Sequence, residues 1–114
     1  MAKKLKIEYN VEPDAAALAV RAAEQFTRAV EKAAAERGRA RIAISGGSTP
    51  KATFQLLADA AQPWRERMPW EKLEIFWVDE RCVPPDHPDS NYRMTREALL
   101  DKVPMKPEQV HRME

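Results

Sequence analysis

Apolar and polar residues alternate near the start of the chain. Four apolar positions are separated by single polar ones, namely Leu5, Ile7, Tyr9 and Val11. A period of two is typical of a strand that buries one face. Residues 5–11 are therefore predicted to form an edge strand.

The spacing of the apolar residues then becomes helical. Side chains that recur every three or four positions predict a buried stripe of Leu18, Ala22, Phe26 and Ala29 or Val30. Asp14 is a suitable amino-terminal cap, and Gly38 is a suitable stop. A first helix is predicted between these two residues.

Two short apolar runs, residues 41–45 and 73–78, show no alternation. Such runs are typical of central parallel strands with helices on both faces. A second helix is predicted between them, from a cap at Ser48 or Thr49 to about Gln62. Its buried stripe is predicted to contain Phe54, Leu57 and Ala61.

The remaining chain completes an alternation of strands and helices. Residues 63–70 are interpreted as a connection, Ser90 or Asn91 as the cap of a third helix that ends near Lys102, and residues 110–113 as a short strand. This order implies right-handed crossovers, so the predicted fold class is α/β, with a mostly parallel, Rossmann-like sheet flanked by helices. No helix follows the last strand, so residues 1–114 are expected to be the amino-terminal part of one domain whose carboxyl-terminal part is absent.

Composition excludes several classes of partner. Nineteen Lys and Arg residues against 18 Asp and Glu residues give a net charge of +1, so neither nucleic acid nor a membrane surface is an expected partner. The one cysteine, Cys82, cannot form an internal disulfide bond, and no apolar run is long enough to cross a bilayer. We expect a cytoplasmic protein.

A glycine-rich turn joins the second predicted strand to the second helix. Gly46 and Gly47 allow a ligand to approach the backbone, and Ser48 and Thr49 add hydroxyl donors at a helix amino terminus. This combination favours a phosphate group. The spacing matches neither common nucleotide-binding pattern. A tight turn with a capping hydroxyl is the alternative.

A charged cluster follows the next strand. Asp79, Glu80 and Arg81 come directly after residues 73–78, so they are predicted to lie at the same rim of the sheet as the glycine-rich turn. An arginine held by a carboxylate suits a phosphate or a developing oxyanion. A solvated charged turn is the alternative.

Five motifs together resemble the 6-phosphogluconolactonase family in order and spacing. They are Ser-Gly-Gly-Ser-Thr-Pro at 45–50, Phe-Trp-Val-Asp-Glu-Arg at 76–81, Ser-Asn-Tyr at 90–92, Arg-Glu-Ala-Leu-Leu at 96–100 and Val-His-Arg-Met at 110–113. The resemblance implies the fold shared with sugar-phosphate isomerases and glucosamine-6-phosphate deaminases. It also implies hydrolysis of 6-phospho-D-glucono-1,5-lactone to 6-phospho-D-gluconate, without a metal or organic cofactor.

The resemblance also implies roles for individual residues. Asp79 and Arg81 match the catalytic polar cluster, with Arg81 as the electrostatic group and Asp79 as its orienting partner. Substrate or phosphate contacts are implied for Gly46, Gly47, Ser48, Thr49, Glu80 and Asn91. The match is weaker for Glu80 than for the glycine loop.

One family motif is missing. The Gly-x-Asp-Gly-His segment that carries the catalytic histidine of the family does not occur in this sequence. His87 and His111 are interpreted as surface or packing residues, and Cys82 as a thiol without a catalytic role. Trp64, Trp70 and Trp77 are interpreted as packing residues. The general base is expected beyond residue 114, so the chain alone is expected to be inactive.

Two other functions stay open. A glucosamine-6-phosphate deaminase or isomerase would use a similar phosphate loop, although an aromatic residue is expected there after Asp-Glu, where this chain has Arg81. A sugar-phosphate-binding domain without catalytic activity would fit the missing histidine.

Overall fold

The computed structural model describes residues 4–114. In this part of the chain, four α-helices and three strands follow one another as α1 (Ala15–Arg37), β1 (Ala40–Ile44), α2 (Ser48–Ala58), α3 (Pro63–Arg67), β2 (Leu73–Trp77), α4 (Asn91–Ala98) and β3 (Val110–His111). Single 3-10 turns lie at Trp70–Lys72, Leu100–Lys102 and Pro107–Gln109. None of the described helices is both long and apolar enough to cross a membrane.

The three strands form one parallel sheet in the order β1-β2-β3. Ala40 is in register with Leu73, and Ile75 is in register with Val110. The predicted α/β class and parallel sheet are confirmed. Within the described sheet β2 is central and β1 is an edge strand, whereas the sequence pattern predicts that both are central.

Burial alternates along β2, which shows that the helices cover one face of the described sheet. Leu73, Ile75 and Trp77 are at most 4% exposed, but Glu74 and Phe76 are only half-buried. The described helices therefore account for one of the two faces that are predicted to carry helices. On the second face, Phe76 stacks on His111 at 4.4 Å, and Glu74 accepts hydrogen bonds from Arg41 and His111 at 3.3 and 3.0 Å.

Both predicted ends of α1 are confirmed. The Asp14 carboxylate accepts a hydrogen bond from the Ala17 N–H at 2.8 Å, and Gly38 ends the helix with a φ of 77°, which glycine adopts without strain. Its N–H donates to the carbonyl oxygen of Ala34 at 2.9 Å. Local capping chemistry therefore fixes both ends of this helix.

Val30 is buried as predicted, but the rest of the buried stripe of α1 lies one position later than predicted. The stripe consists of Ala19, Ala23, Thr27, Val30 and Ala34. Of the predicted stripe, Leu18 is 39% exposed and Phe26 is partly buried. Small side chains allow α1 to approach its neighbours closely, and the Thr27 hydroxyl is satisfied because it donates to the carbonyl oxygen of Ala23 at 2.8 Å.

The predicted edge strand is not formed. Residues 4–11 have no regular secondary structure, and Leu5, Tyr9 and Val11 are each at least 85% exposed. The alternating pattern specifies which side chains share a face, but a strand also needs a neighbour to accept its backbone hydrogen bonds. No described strand lies beside this segment.

The segment interpreted as a connection contains α3 and a 3-10 turn. Trp64 and Trp70 are both 5% exposed, which confirms their packing role. The Trp64 Nε1–H donates to Glu24 at 3.1 Å, and Arg67 forms ion pairs with Glu24 and Glu31 at 2.8 and 2.7 Å. Contacts with α1 therefore hold α3 in place.

The ends of α2 and α4 differ in part from the predictions. Gly47 is the amino-terminal cap of α2 without a side-chain hydrogen bond, so neither Ser48 nor Thr49 caps it, and exposed Ala61 lies beyond its end. Ser90 caps α4, as its hydroxyl oxygen accepts a hydrogen bond from the Arg93 N–H at 3.2 Å. This helix ends at Ala98, and a 3-10 turn continues to Lys102.

Candidate functional site

The candidate site lies at the carboxyl ends of β1 and β2. The Val78 N–H donates to the carbonyl oxygen of Ile44 at 2.9 Å, which extends the pairing of the two strands to the rim of the sheet. The loop after β1 and the loop after β2 therefore leave the sheet side by side. The carboxyl ends of parallel strands are the usual location of ligand sites in α/β folds.

The glycine-rich turn leads directly into α2. Gly47 has a φ of 111°, a conformation that residues with a Cβ rarely adopt. The side chains of Ser48 and Thr49 are exposed. Because the first amides of a helix have no partner within it, this turn presents backbone donors and two hydroxyl groups at the positive end of α2.

Asn91 connects the two loops. Its side chain lies against Gly46, where a Cβ would overlap the amide group. The same amide donates from Nδ2 to the carbonyl oxygen of Asp79 at 3.2 Å. Asn91 is 4% exposed, so the contact is shielded from solvent. The structure thus brings together three predicted site residues from separate segments of the chain, namely Gly46, Asp79 and Asn91.

The Glu80 carboxylate is bound within the protein by four donors. Its Oε1 accepts hydrogen bonds from the backbone N–H groups of Arg81 at 2.8 Å and Asn91 at 2.7 Å. Its Oε2 accepts from the Ser90 hydroxyl at 2.9 Å and from the Tyr92 N–H at 3.0 Å. Glu80 therefore ties the end of β2 to the amino terminus of α4.

These hydrogen bonds determine the charge state of Glu80. Partial burial acts to raise the pKa of its carboxyl group, but hydrogen bonds from the backbone of Tyr92, Asn91 and Arg81 and from the Ser90 hydroxyl outweigh burial, and the pKa lies below its ordinary value. Glu80 is therefore negatively charged at neutral pH.

Arg81 and Asp79 are both exposed at the rim. The Arg81 guanidinium donates from Nη1 to the carbonyl oxygen of Asp89 at 3.0 Å. Within the described residues, no hydrogen bond or ion pair joins Arg81 to the Asp79 carboxylate. The predicted pairing of Asp79 with Arg81 is therefore not formed, because the guanidinium points toward the loop that precedes α4.

Each of the two histidines contacts an acidic residue that is not among the predicted site residues. The His87 Nδ1 accepts a hydrogen bond from the Asp89 N–H at 3.0 Å. His111 stacks on Phe76, and its Nε2 lies 3.0 Å from a Glu74 oxygen on the second face of the sheet. Cys82 is a free, exposed thiol.

Sequence reasoning missed two residues that organise the site. Ser90 binds Glu80 through its hydroxyl and is 1% exposed, and Tyr92 binds the same carboxylate through its N–H. The Tyr92 ring packs edge-on against Trp77 with ring centroids 5.4 Å apart. The signals in the sequence are the cap preference of Ser90 and the Ser-Asn-Tyr motif that contains both residues, and neither signal reveals that their partner is Glu80.

Comparison with known proteins identifies the family of this chain. The family model for glucosamine-6-phosphate isomerases/6-phosphogluconolactonase matches residues 13–114, and the chain belongs to this family. It is 41% identical over 107 residues to the 6-phosphogluconolactonase of Nostoc sp. and 49% identical over 87 residues to that of Synechocystis sp.. The solved structure of 6-phosphogluconolactonase from Trypanosoma brucei superposes with a TM-score of 0.76 at 33% identity.

These matches cover most of the chain but less than half of each relative. They include 94% of the chain and 42% of the Nostoc protein, 76% and 34% for the Synechocystis protein, and 92% and 38% for the Trypanosoma brucei structure. The chain thus spans about two fifths of the length of the relatives that it matches.

Proposed function

We propose that this chain is the amino-terminal part of a cytoplasmic 6-phosphogluconolactonase, an enzyme that hydrolyses 6-phospho-D-glucono-1,5-lactone to 6-phospho-D-gluconate. The observation that carries the proposal is the contact of Asn91 with both Gly46 and the Asp79 carbonyl oxygen. This contact holds the glycine-rich turn close to the end of β2, which supports a shared site for the two ends of a phosphorylated sugar. Relatives named as 6-phosphogluconolactonases support the choice of reaction.

The phosphate group of the substrate is proposed to bind at the glycine-rich turn. Gly46 and Gly47 leave the backbone accessible, and Ser48 and Thr49 are exposed at the start of α2. The positive end of a helix favours an anion, and hydroxyl groups add donors. Binding energy from this remote phosphate would hold the lactone carbon in position for attack by water.

Arg81 and Asp79 are proposed to act at the lactone end. Opening of a lactone passes through a tetrahedral oxyanion that a guanidinium can stabilise. Arg81 makes one hydrogen bond to a backbone carbonyl among the described residues, so most of its five N–H groups remain for a substrate. Asp79 is exposed at the same rim and can bind a substrate hydroxyl. Asn91 is proposed to contact the substrate as well as the two loops.

The reaction also needs a general base to activate water. His87 and His111 are already engaged in contacts with Asp89 and Glu74. The base is therefore proposed to lie outside residues 1–114, in the part of the relatives that this chain does not span.

A glucosamine-6-phosphate deaminase or isomerase is the second candidate, because the family model includes such isomerases. The position of Arg81 favours the lactonase, since the guanidinium adds positive charge where an aromatic residue would be expected in a deaminase. A sugar-phosphate-binding domain without activity is the third candidate, as it would require only the turn and Asn91.

A direct comparison of two reactions tests the proposal. A protein of the full length of the relatives that carries these 114 residues should accelerate hydrolysis of the 1,5-lactone above the spontaneous rate and should not release ammonia from glucosamine 6-phosphate. The reverse result would assign the deaminase. Binding of 6-phosphogluconate without either activity would assign the binding domain.

A further inference from the structure

We infer that Glu80 is a positioning residue that shapes the glycine-rich turn through Asn91, rather than a ligand of the substrate. The inference deepens the proposed function, because it rests on that turn as the phosphate site. It concerns the residue for which the family resemblance implies a substrate contact.

The first step of the argument is that Glu80 has little capacity left for a ligand. Each carboxylate oxygen already accepts two hydrogen bonds from within the protein, at distances of 2.7–3.0 Å. Three of the donors are backbone N–H groups. An ionised carboxylate has about four lone-pair sites, so these contacts use its ordinary capacity.

The second step is that the bound carboxylate fixes the start of α4. Ser90 and Asn91 are 1% and 4% exposed, and both are held by Glu80, through a hydroxyl and a backbone N–H. A carboxylate at a helix amino terminus is also favoured by the helix dipole. The backbone of Asn91 is thereby held in one position at the end of β2.

The third step is that the position of Asn91 affects the proposed phosphate site. The Asn91 amide contacts Gly46 and donates to the Asp79 carbonyl oxygen at 3.2 Å. If the start of α4 shifts, this amide shifts with it, and the turn before α2 loses the side chain that packs against it. Glu80 thus acts on the turn through one intermediate residue.

The two roles predict opposite effects on anion affinity. A carboxylate that faced the bound phosphate would repel it, so its neutralisation would strengthen binding. A carboxylate that positions the turn would weaken binding when neutralised, because the donors of the turn would no longer be aligned. The sign of the change therefore separates the two.

The experiment is a titration of the 114-residue chain with inorganic phosphate, followed by the amide resonances of residues 45–49. We expect Glu80→Gln to weaken phosphate binding about tenfold, which corresponds to about 1.4 kcal/mol. Glu97→Gln is the matched control, because Glu97 is an exposed carboxylate on α4 that pairs with Arg93 at 2.7 Å. The control should bind phosphate like the unchanged chain.

The amide resonances of the chain without phosphate provide a second measurement. The amide protons of Asn91 and Tyr92 should titrate with the Glu80 carboxyl group in the unchanged chain and not in Glu80→Gln, and the Gly46 and Gly47 amides should shift in that variant but not in Glu97→Gln. If Glu80→Gln does not fold, Ser90→Ala, which removes one of the four donors, should shift the same glycine amides and weaken phosphate binding less.

Three outcomes would overturn the inference: stronger phosphate binding by Glu80→Gln, unchanged binding, or unchanged glycine amides in the variant that folds. A failure of the unchanged chain to bind phosphate would instead contradict the proposed function. In that case the shifts of the Gly46 and Gly47 amides still decide whether Glu80 positions the turn.

Discussion

The side chain of Asn91 occupies the space that a Cβ would take at Gly46. This contact joins the turn after β1 to the amino terminus of α4. Asn91 cannot move aside freely, because its backbone N–H is bound to Glu80 at 2.7 Å and its amide to the Asp79 carbonyl oxygen. The absence of a side chain at position 46 is therefore a packing requirement as well as a condition for close approach of a ligand.

Replacement of this glycine tests the packing requirement. Gly46→Ala should lower the free energy of unfolding by about 1–3 kcal/mol, as expected for overpacking, and should also weaken phosphate binding. Denaturant unfolding and a phosphate titration measure the two effects. Gly38→Ala is the control, since a Cβ there meets nothing within 4 Å and strain at a φ of 77° should reduce stability alone. Normal stability and binding in Gly46→Ala would contradict the close contact.

The chain should bind phosphate at the glycine-rich turn. Addition of inorganic phosphate or 6-phosphogluconate should shift the amide resonances of Gly46, Gly47 and Ser48, because these groups surround the amino terminus of α2. Ser48→Ala should weaken binding about 2- to 12-fold, the range for one lost hydrogen bond. Gln55→Ala, an exposed change on the same helix, should have no effect. Shifts confined to another surface would place the site elsewhere.

Arg81 should matter for turnover more than its neighbour Cys82. In a protein of the full length of the relatives, Arg81→Ala should lower kcat/KM about 10²-fold or more, because it removes charge that stabilises the oxyanion. Cys82→Ala should remain close to normal, since this thiol is exposed and free. Circular dichroism would verify that both variants are folded. Equal losses would show that the role assigned to Arg81 is wrong.

The 114-residue chain alone should not accelerate lactone hydrolysis. Loss of a general base commonly costs about 10²- to 10⁴-fold in rate, and both His87 and His111 are already engaged in contacts with Asp89 and Glu74. Since the lactone hydrolyses spontaneously, the rates with and without protein have to be compared in the same buffer. Activity abolished by His87→Ala or His111→Ala would identify that histidine as the base.

The link between α1 and α3 should make stability depend on acid pH. Hydrogen bonds from Arg67, Trp64 and Arg28 lower the pKa of Glu24 to about 2, from an ordinary value of 4.5. Because the lowered pKa belongs to the folded chain, the stabilisation is present above pH 4.5 and is lost as the pH falls toward 2. Glu24→Gln should therefore lower the Tm at pH 7 and have a smaller effect near pH 2.

A second carboxylate on the same helix provides the control. Glu36 is exposed near the end of α1, so Glu36→Gln should change the Tm little at either pH. Parallel thermal melts of the three proteins measure the difference. An equal effect of Glu24→Gln at both pH values would show that packing, and not charge, is what the carboxylate contributes.

The features that the sequence predicted correctly depend on local chemistry. Asp14 and Gly38 bind backbone groups within four residues, and Ser90 caps α4 in the same way. The location of the glycine-rich turn and of Asp79 at one rim follows from a general property of parallel sheets. These predictions required no knowledge of distant contacts.

The features that were missed depend on partners far away in the chain. Trp64 is held by Glu24, 40 positions earlier, so residues 63–70 gave no periodic signal of a helix. The alternation in residues 5–11 specifies a face but no partner, and those side chains are exposed. The contact between Asn91 and Gly46, and the four donors to Glu80, likewise join segments whose proximity no local pattern indicates.

The parallel register of the sheet has a consequence for how the chain folds. Arg41 and Glu74 are paired at a separation of 33 positions, and β2 and β3 are likewise joined through a crossover that contains α4. Neither ladder can begin before a long loop has closed, whereas the hydrogen bonds of a helix such as α1 form between near neighbours. We therefore expect the rim that aligns the two site loops to form later than the helices.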